Sequence, residues 1–326
     1  MMGVYEKFKN NRYLKTLGPI GILLFIFIFM FISTPTFRSP MNILQILLSS
    51  SIYILLAMGM SFVIITGGID LSLGAIIGLV GGLFSFAMMT MPLWMAMIVG
   101  VLVGVACGIL NGFMVTVMGL APFIATLGSS WIFRGILLLL NNGAIITVRG
   151  VIDRETLQTL NFIGNGRTFG IPNPIYVVVV LAIALAFLLS KTVYGRSVYA
   201  TGSNPEAARM SGINIRSVKW KTYILAGTLA GIAGVILMAR MQVTQPNTGQ
   251  GYEFEGIFSA IIGGISFAGG EGNVLGAVVG AVIVAILRNG LNLNGINSFW
   301  QQVILGVLVI VIVYVDTLKT KKARNP

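Results

Sequence analysis

Few residues of this chain belong to the types that perform chemistry, and their spacing does not indicate a catalytic site. The chain has no histidine and a single cysteine, Cys107, between Ala106 and Gly108 in an apolar run. Without histidine the sequence offers no ordinary zinc or copper site and no imidazole acid–base pair, and one cysteine forms no disulfide framework. The phosphate-binding pattern G-x-x-x-x-G-K-[ST] does not occur in the 326 residues either. We therefore expect no catalytic residues, no metal site and no cofactor.

The ionisable residues within or beside apolar runs are the remaining candidates for function. Asp70 and Glu271 each stand just before an apolar run, where capping of a helix N-terminus is the structural alternative to a functional role. Glu253 and Glu255 form a pair at the start of another run. Arg134 lies inside a run, so its guanidinium group either reaches the water at the end of that run or lines a pathway.

A short helix with both ends specified by sequence stands out in the polar segment 191–221. Asn204 suits the N-cap, Pro205 the first turn, Glu206 the positive end of the helix dipole and Gly212 the C′ position. A helix of two turns is marginal in water. We expect it to need a docking surface, although an ordinary capped surface helix between two apolar helices has the same pattern.

The composition determines which elements must position these residues. Hydrophobic residues make up 56% of the chain and charged residues 9%, whereas a soluble domain carries about a quarter charged residues. A membrane-spanning helix takes about 20 residues. The chain is thus predicted to be an all-α polytopic membrane protein with about ten spans, forming a single transmembrane domain over 1–326 with its membrane part at 16–318.

The apolar runs define the expected spans, which are separated by short polar or glycine-rich breaks. They lie at about 17–32, 42–66, 72–90, 93–117, 122–140, 175–190, 222–241, 254–268, 274–290 and 299–318. The longest polar stretches are 141–174 and 191–221.

Basic residues indicate the orientation, since cytoplasmic loops are enriched in lysine and arginine. Fourteen of the 21 fall in three segments, the N-terminal tail, 191–221 and the C-terminal tail, which ten spans place on one side. We therefore expect both termini and 191–221 in the cytoplasm, in a multi-pass protein of the cell membrane. The net charge of +12 follows from this bias and does not indicate nucleic-acid binding. Arg240 and Arg288 are expected on the outer side.

Glycines recur at helical spacing in two spans and predict close helix packing. They are Gly100, Gly104, Gly108 and Gly112 in the fourth span, and Gly227, Gly231 and Gly234 in the seventh.

An internal repeat relates two glycine-rich breaks. The sequence G-G-I-D-L-S-L-G-A-I-I-G at 67–78 aligns with G-G-E-G-N-V-L-G-A-V-V-G at 269–280, with six of twelve positions identical. Transporter folds commonly contain repeats with broken helices near the pathway. We expect these breaks to act as a gate at the cytoplasmic end, with Gly68, Asp70, Ser72, Gly270 and Glu271 as candidates. Chance recurrence in a glycine-rich chain, with simple tight turns, is the alternative.

At this point the chain resembles the sugar-type permeases of ATP-binding-cassette importers, the group of ribose, related monosaccharide and autoinducer permeases. The resemblance covers about 41–316. It depends on G-G-I-D-L-S-L-G at 67–74, P-F-I-A-T-L-G at 122–128, G-S-N-P-x-A-A at 202–208 and G-G-I-S at 263–266 with G-G-x-G at 269–272. The E-A-A-x-x-x-G pattern at 206–212 resembles the coupling loop of these permeases, without its later I-x-L-P part.

The resemblance implies a type II-like permease subunit that forms the pathway for a monosaccharide or similar small hydroxylated solute and hydrolyses no ATP itself. Its implied partners are a cytoplasmic ATP-binding-cassette ATPase, a second permease subunit, identical or homologous, an external sugar-binding protein and the lipid bilayer. A self-sufficient secondary transporter or channel is the alternative, and the docking helix argues against it. The direction of transport depends on the resemblance alone.

Three groups of site residues follow from these patterns. The ATPase-coupling group is Asn204, Pro205, Glu206, Ala207, Ala208, Arg209 and Gly212. The pathway candidates add Phe123, Thr126 and Arg134 to the gate residues, although aromatic residues in spans also serve packing. Arg149, Arg154 and Arg167 in 141–174 are the candidate contacts for the binding protein, unless that stretch is simply a solvated loop.

Overall fold

The computed structural model describes residues 17–297, 299–304, 306–307, 310–311 and 314, and most of this part of the chain is helical. The α-helices are α1 (Leu17–Ser33), α2 (Pro40–Ile65), α3 (Leu73–Thr90), α4 (Leu93–Thr116), α5 (Pro122–Leu140), α6 (Arg154–Asn165), α7 (Asn173–Lys191), α8 (Val193–Ser203), α9 (Pro205–Met210), α10 (Ile215–Met241), α11 (Tyr252–Ile262) and α12 (Val274–Leu293). A short 3-10 helix, Pro35–Arg38, joins α1 to α2, and the described residues after 298 are helical.

The predicted fold class is confirmed, because seven of the described helices are long and apolar enough to cross a membrane. These are α2, α3, α4, α5, α7, α10 and α12, and α1 is a shorter apolar helix. The apolar stretch of α2 is 89% buried and that of α10 is 78% buried, whereas those of α4, α5 and α7 are 28% buried. Helices α2, α3 and α10 therefore form the core, and α4, α5 and α7 expose apolar side chains on the outside of the bundle.

The prediction of an eighth span at 254–268 is wrong in its extent. Helix α11 has 11 residues and ends at Ile262, before Gly263 and Gly264. At about 1.5 Å per residue it covers about 16 Å, roughly half the hydrocarbon thickness of a bilayer. The apolar side chains after Ile262 continue the hydrophobic run but not the helix, so α11 by itself does not span the membrane.

Helix α3 lies beside a polar segment, 242–251, which runs back along it after α10. Glycines on α3 make room for this segment: a Cβ at Gly78 would lie 2.6 Å from the Thr248 carbonyl oxygen, and one at Gly74 would collide with that of Gly249. The repeat-related glycines of α12, Gly276 and Gly280, receive backbone carbonyls of α11 in the same way. The repeat thus marks two helices built to accept the backbone of another segment.

The polar stretch 141–174 is folded and packs on the ends of α2 and α10. It contains β1 (Ile146–Thr147), paired antiparallel with β4 (Val243–Thr244), the helix α6, and a hairpin of β2 (Arg167–Thr168) and β3 (Ile171–Pro172). Asp153 caps α6 by accepting the Thr156 N–H at 2.8 Å, and the hydrogen bonds from Thr156 keep the pKa of its carboxyl group below the ordinary value.

The glycine spacing in α4 and α10 produces the expected close packing. A Cβ at Gly104 would lie 2.6 Å from the Gly231 Cα and collide with the Gly227 carbonyl oxygen. Backbones in such contact leave no room for a side chain.

We therefore expect Gly104→Ala to lower the melting temperature of the purified protein, because overpacking costs about 1–3 kcal/mol. Gly135→Ala on α5 is the matched control, since nothing lies within 4 Å of the Cβ it would add. Alanine is favoured over glycine in a helix by about 1 kcal/mol, so the control should keep or raise the melting temperature. Equal melting curves for the two variants would contradict close α4–α10 packing.

Candidate functional site

The capped helix of the 191–221 segment is present as predicted. It is α9, Pro205–Met210, and the Asn204 side chain accepts the Ala207 N–H at 3.1 Å, a cap that stabilises a helix by about 1 kcal/mol. Gly212 follows the helix with a φ of +81°, the left-handed conformation that favours glycine, and the Ile213 N–H bonds the Ala208 carbonyl at 3.1 Å. Both ends of α9 are thus set by local hydrogen bonds.

Helix α9 is exposed on nearly every side. Ala208 is its one buried residue, while Pro205, Glu206, Ala207 and Arg209 face outward. The sequence interpretation overlooked Met210, an apolar side chain in a polar segment, which is 90% exposed. Five exposed residues around one buried alanine do not explain why this short helix is so fully capped.

Helix α8, directly before α9, is hydrogen-bonded to the second glycine-rich break and packs against the end of α2, just before the first break. The Tyr199 hydroxyl donates to the Gly272 carbonyl at 2.7 Å, and the Gly270 N–H donates to the Ile65 carbonyl, at the end of α2, at 2.8 Å. A Cβ at Gly202 would collide with that Ile65 oxygen and lie 2.6 Å from the Gly270 nitrogen. We call these five residues the junction. It brings the two repeat-related breaks together at one end of the protein, beside α9.

The first break is held by a buried polar cluster. Asp70 Oδ1 accepts the Ser72 N–H at 2.9 Å and the Ser72 hydroxyl at 2.6 Å. Asn111 Nδ2, from α4, donates to Ser72 Oγ at 2.7 Å, and the Leu71 N–H donates to Thr126 Oγ1, from α5, at 3.1 Å. Asp70, Ser72, Asn111 and Thr126 are fully buried. In this conformation they fix the turn before α3. Asn111 was not predicted, since one asparagine in an apolar run gives little signal.

A cavity of about 810 Å³, the central cavity, lies between α2, α11, α12 and the 242–251 segment. Its aromatic lining consists of Tyr53, Tyr252, Phe254 and Phe258, and its amide lining of Asn247, Gln250 and Gln302. Its charged lining consists of Glu253, Glu255 and Arg288. Hydrophobic and polar groups thus alternate around one space, as in sites for small polar molecules.

Arg288 lies within the run expected to span at about 274–290, and the structure gives it a partner that the sequence did not indicate. Arg288 is in the last third of α12, and its Nη2 donates to Glu255 Oε1. Glu255 is 3% exposed. Burying a lone charge is less favourable in free energy than burying an ion pair, so the arginine side chain stays beside the buried carboxylate. Of this pair the sequence indicated Glu255 as an intramembrane acid.

The other predicted pathway residues lie apart from the central cavity. A Cβ at Gly68 would lie 2.7 Å from the Tyr223 hydroxyl, Glu271 is exposed near the junction, and Phe123 is exposed on α5. Arg134 points its Nη1 at the Pro246 carbonyl at 3.4 Å, so it contacts the 242–251 segment that lines the cavity.

The three predicted arginines lie at the end opposite the junction, and all are exposed. Arg149 Nε donates to Gln242 Oε1 at 2.8 Å and Arg167 Nη2 lies 3.1 Å from the Met41 sulfur, while Arg154 begins α6. The hairpin that follows presents Phe169, which is 97% exposed. Among the described residues, no group of three or more His, Cys, Asp or Glu side chains could hold a metal ion.

Comparison with known proteins identifies the family. Residues 42–313 match a family described as "Branched-chain amino acid transport system / permease component". The chain is 42% identical to the ribose import permease protein RbsC of Bacillus subtilis (strain 168) over 94% of each chain.

Two further relatives come from Escherichia coli (strain K12). The D-allose transport system permease protein AlsC is 39% identical over 90% of this chain and 89% of its own. The probable ABC transporter permease protein YphD is 32% identical over 97% of this chain and 93% of its own. No solved structure matches the chain. This chain, a helical multi-pass membrane protein with an exposed capped helix, therefore belongs to this permease family. It is a permease subunit of an ATP-binding-cassette importer.

Proposed function

We propose that this chain forms the transmembrane pathway for a monosaccharide or a similar small hydroxylated solute, and that ATP hydrolysis by a partner ATPase drives the import. The observation that carries the proposal is the junction, in which α8, directly before the exposed helix α9, is hydrogen-bonded to the second break and packs on the Ile65–Gly270 bond beside the first. A push on α9 would reach Ile65 and Gly270 through backbone contacts. The relatives named for ribose and D-allose support a sugar as the solute.

The working complex that we propose contains two permease subunits, identical or homologous, two ATPase subunits and an external sugar-binding protein. In this proposal the end of the protein that carries the junction faces the cytoplasm. Both termini, whose residues are not among those described, face the cytoplasm as well. The arginine-bearing segment 141–174 faces outward.

The direct test is uptake into proteoliposomes that contain the permease, its ATPase and the binding protein. We expect ATP-dependent accumulation of labelled D-ribose or D-allose, in a complex whose mass contains two permeases. Accumulation of L-leucine in place of the sugars would favour an amino-acid importer, as the family description suggests. Sugar flux that needs no ATPase would favour the channel or secondary transporter.

Coupling through α9 predicts a specific effect at Gly212. Gly212→Val places a β-branched residue at a φ of +81°, a strained conformation that costs about 1–3 kcal/mol, so the end of α9 should rearrange. We expect loss of ATPase copurification and of uptake. Gly212→Asn is the matched control, because asparagine tolerates the left-handed region and should retain both. Normal copurification of the valine variant would count against this docking surface.

The junction predicts that coupling can be separated from ATPase binding. Gly202→Ala would force α8 away from Ile65 and Gly270 while leaving α9 exposed. We expect the ATPase to copurify and hydrolyse ATP while sugar uptake falls at least tenfold. Alanine at Gly68 or Gly270, which stiffens the breaks of the proposed gate, should show the same pattern. Full sugar uptake by all three variants would contradict the gate and would favour the alternative that these positions are simple tight turns.

The outward segment predicts electrostatic recognition of the binding protein. Exposed arginines make bidentate contacts with carboxylates and chiefly raise association rates, an effect that salt screens. Alanine at Arg149, Arg154 and Arg167 together should slow docking to right-side-out vesicles at low salt, with little change at high salt. Unchanged docking rates would refute the contact, and docking to inverted vesicles would reverse the proposed orientation.

A further inference from the structure

We propose that the central cavity is a binding site for one uncharged sugar, so that the permease itself recognises the solute during passage. This inference rests on the proposed function and adds a ligand site within the pathway. The cavity of about 810 Å³ falls within the range of small-molecule sites, roughly 300–1,000 Å³. A monosaccharide fits it together with water.

The Glu255–Arg288 pair lines the cavity, and each of the two side chains has one polar atom that makes no hydrogen bond within the described residues. Glu255 Oε1 accepts from Arg288 Nη2, whereas Glu255 Oε2 and Arg288 Nε are buried and have no hydrogen-bond partner among the described residues. Buried polar atoms without partners cost about 1–3 kcal/mol each. A sugar hydroxyl both donates and accepts hydrogen bonds, so hydroxyl groups can satisfy a carboxylate and a guanidinium side by side after a small side-chain movement.

The aromatic groups supply the apolar surface that a sugar ring also needs. Tyr53 and Tyr252 lie with ring centroids 5.8 Å apart, and Phe254 and Phe258 with centroids 6.2 Å apart. The C–H face of a pyranose or furanose packs on such rings while its hydroxyls point toward polar groups. The exposed amides of Asn247 and Gln250 offer further donors and acceptors at the cavity wall.

The charges of the lining select against anionic sugars. The cavity is lined by two carboxylates and one guanidinium group, and this guanidinium is already paired. A phosphate or carboxylate on the solute would meet repulsion from these carboxylates, which is costly in a partly dry site. The nearby guanidinium groups of Arg134 and Arg240 lie behind the lining and donate to the backbone carbonyls of Pro246 and Leu48. An uncharged polyhydroxylated ring has no such penalty.

The cavity is also in contact with the elements that form the breaks. The Glu253 carboxylate packs against Gly74, in the first turn of α3, where a Cβ would collide with it. Helix α11, which lines the cavity, leads through Gly263 into the second break. A bound sugar therefore lies against both segments that approach the junction.

The test measures, by saturation-transfer NMR, the binding of D-ribose and D-allose to the permease–ATPase complex in the absence of the binding protein. We expect weak, saturable binding of a neutral sugar and none of D-ribose 5-phosphate. Phe254→Leu removes an exposed ring. The double variant Glu255→Gln/Arg288→Gln removes both charges, so that no lone charge stays buried. Phe254→Leu and the double variant should each weaken sugar binding roughly tenfold, which is the effect expected when a ring contact or charged hydrogen bonds are lost.

Matched controls are Phe187→Leu on α7 and Glu155→Gln on α6, both exposed and away from the cavity. They should bind as the unmodified protein does, and all variants should retain its melting temperature. If the double variant unfolds, Phe254→Leu alone decides. ATP-driven sugar uptake without saturable binding, cavity variants that behave like the controls, or equally tight binding of ribose 5-phosphate would overturn this inference and leave the proposed function intact. Absence of sugar uptake, with uptake of another solute, would instead overturn the proposed function.

Discussion

The arrangement of this permease depends on one backbone hydrogen bond, from the Gly270 N–H to the Ile65 carbonyl. It joins the end of the core helix α2 to the second glycine-rich break, and Gly202 of α8 packs directly on it. Because no side chain separates the three backbones, the contact has little freedom to deform by rotamer changes. In the proposed coupling, a displacement of α8 reaches the end of α2 and the second break through these contacts.

Close backbone contact is used again within the bundle. Glycines of α4 face glycines of α10, and the repeat-related glycines of α3 and α12 receive carbonyl groups from 242–251 and α11. In lipid the hydrophobic effect does not favour helix association, so contact area and polar bonds must stabilise the bundle. The small residues allow that area, and the cluster of Asp70, Ser72 and Asn111 supplies the polar bonds.

Much of the site could be predicted because local rules determine it. Helix α9 has the predicted N-cap at Asn204 and left-handed glycine at Gly212, since both depend only on neighbouring backbone groups. Most spans were also predictable, because a spanning helix needs a long apolar run. The end of α11 was not, since the run of apolar side chains continues past Gly263 although the helix does not.

By itself the sequence determined the membrane class, the position of most helices, the capped helix and the pairing of two repeats. It also indicated Glu255 as an ionisable residue at the start of an apolar run. Only the tertiary structure decided that Arg288 is its partner, that Asp70 and Ser72 are buried in a polar cluster, and that the central cavity exists. The physical reason is that hydropathy and capping act between near neighbours, whereas an ion pair or a cavity depends on how helices distant in sequence pack together.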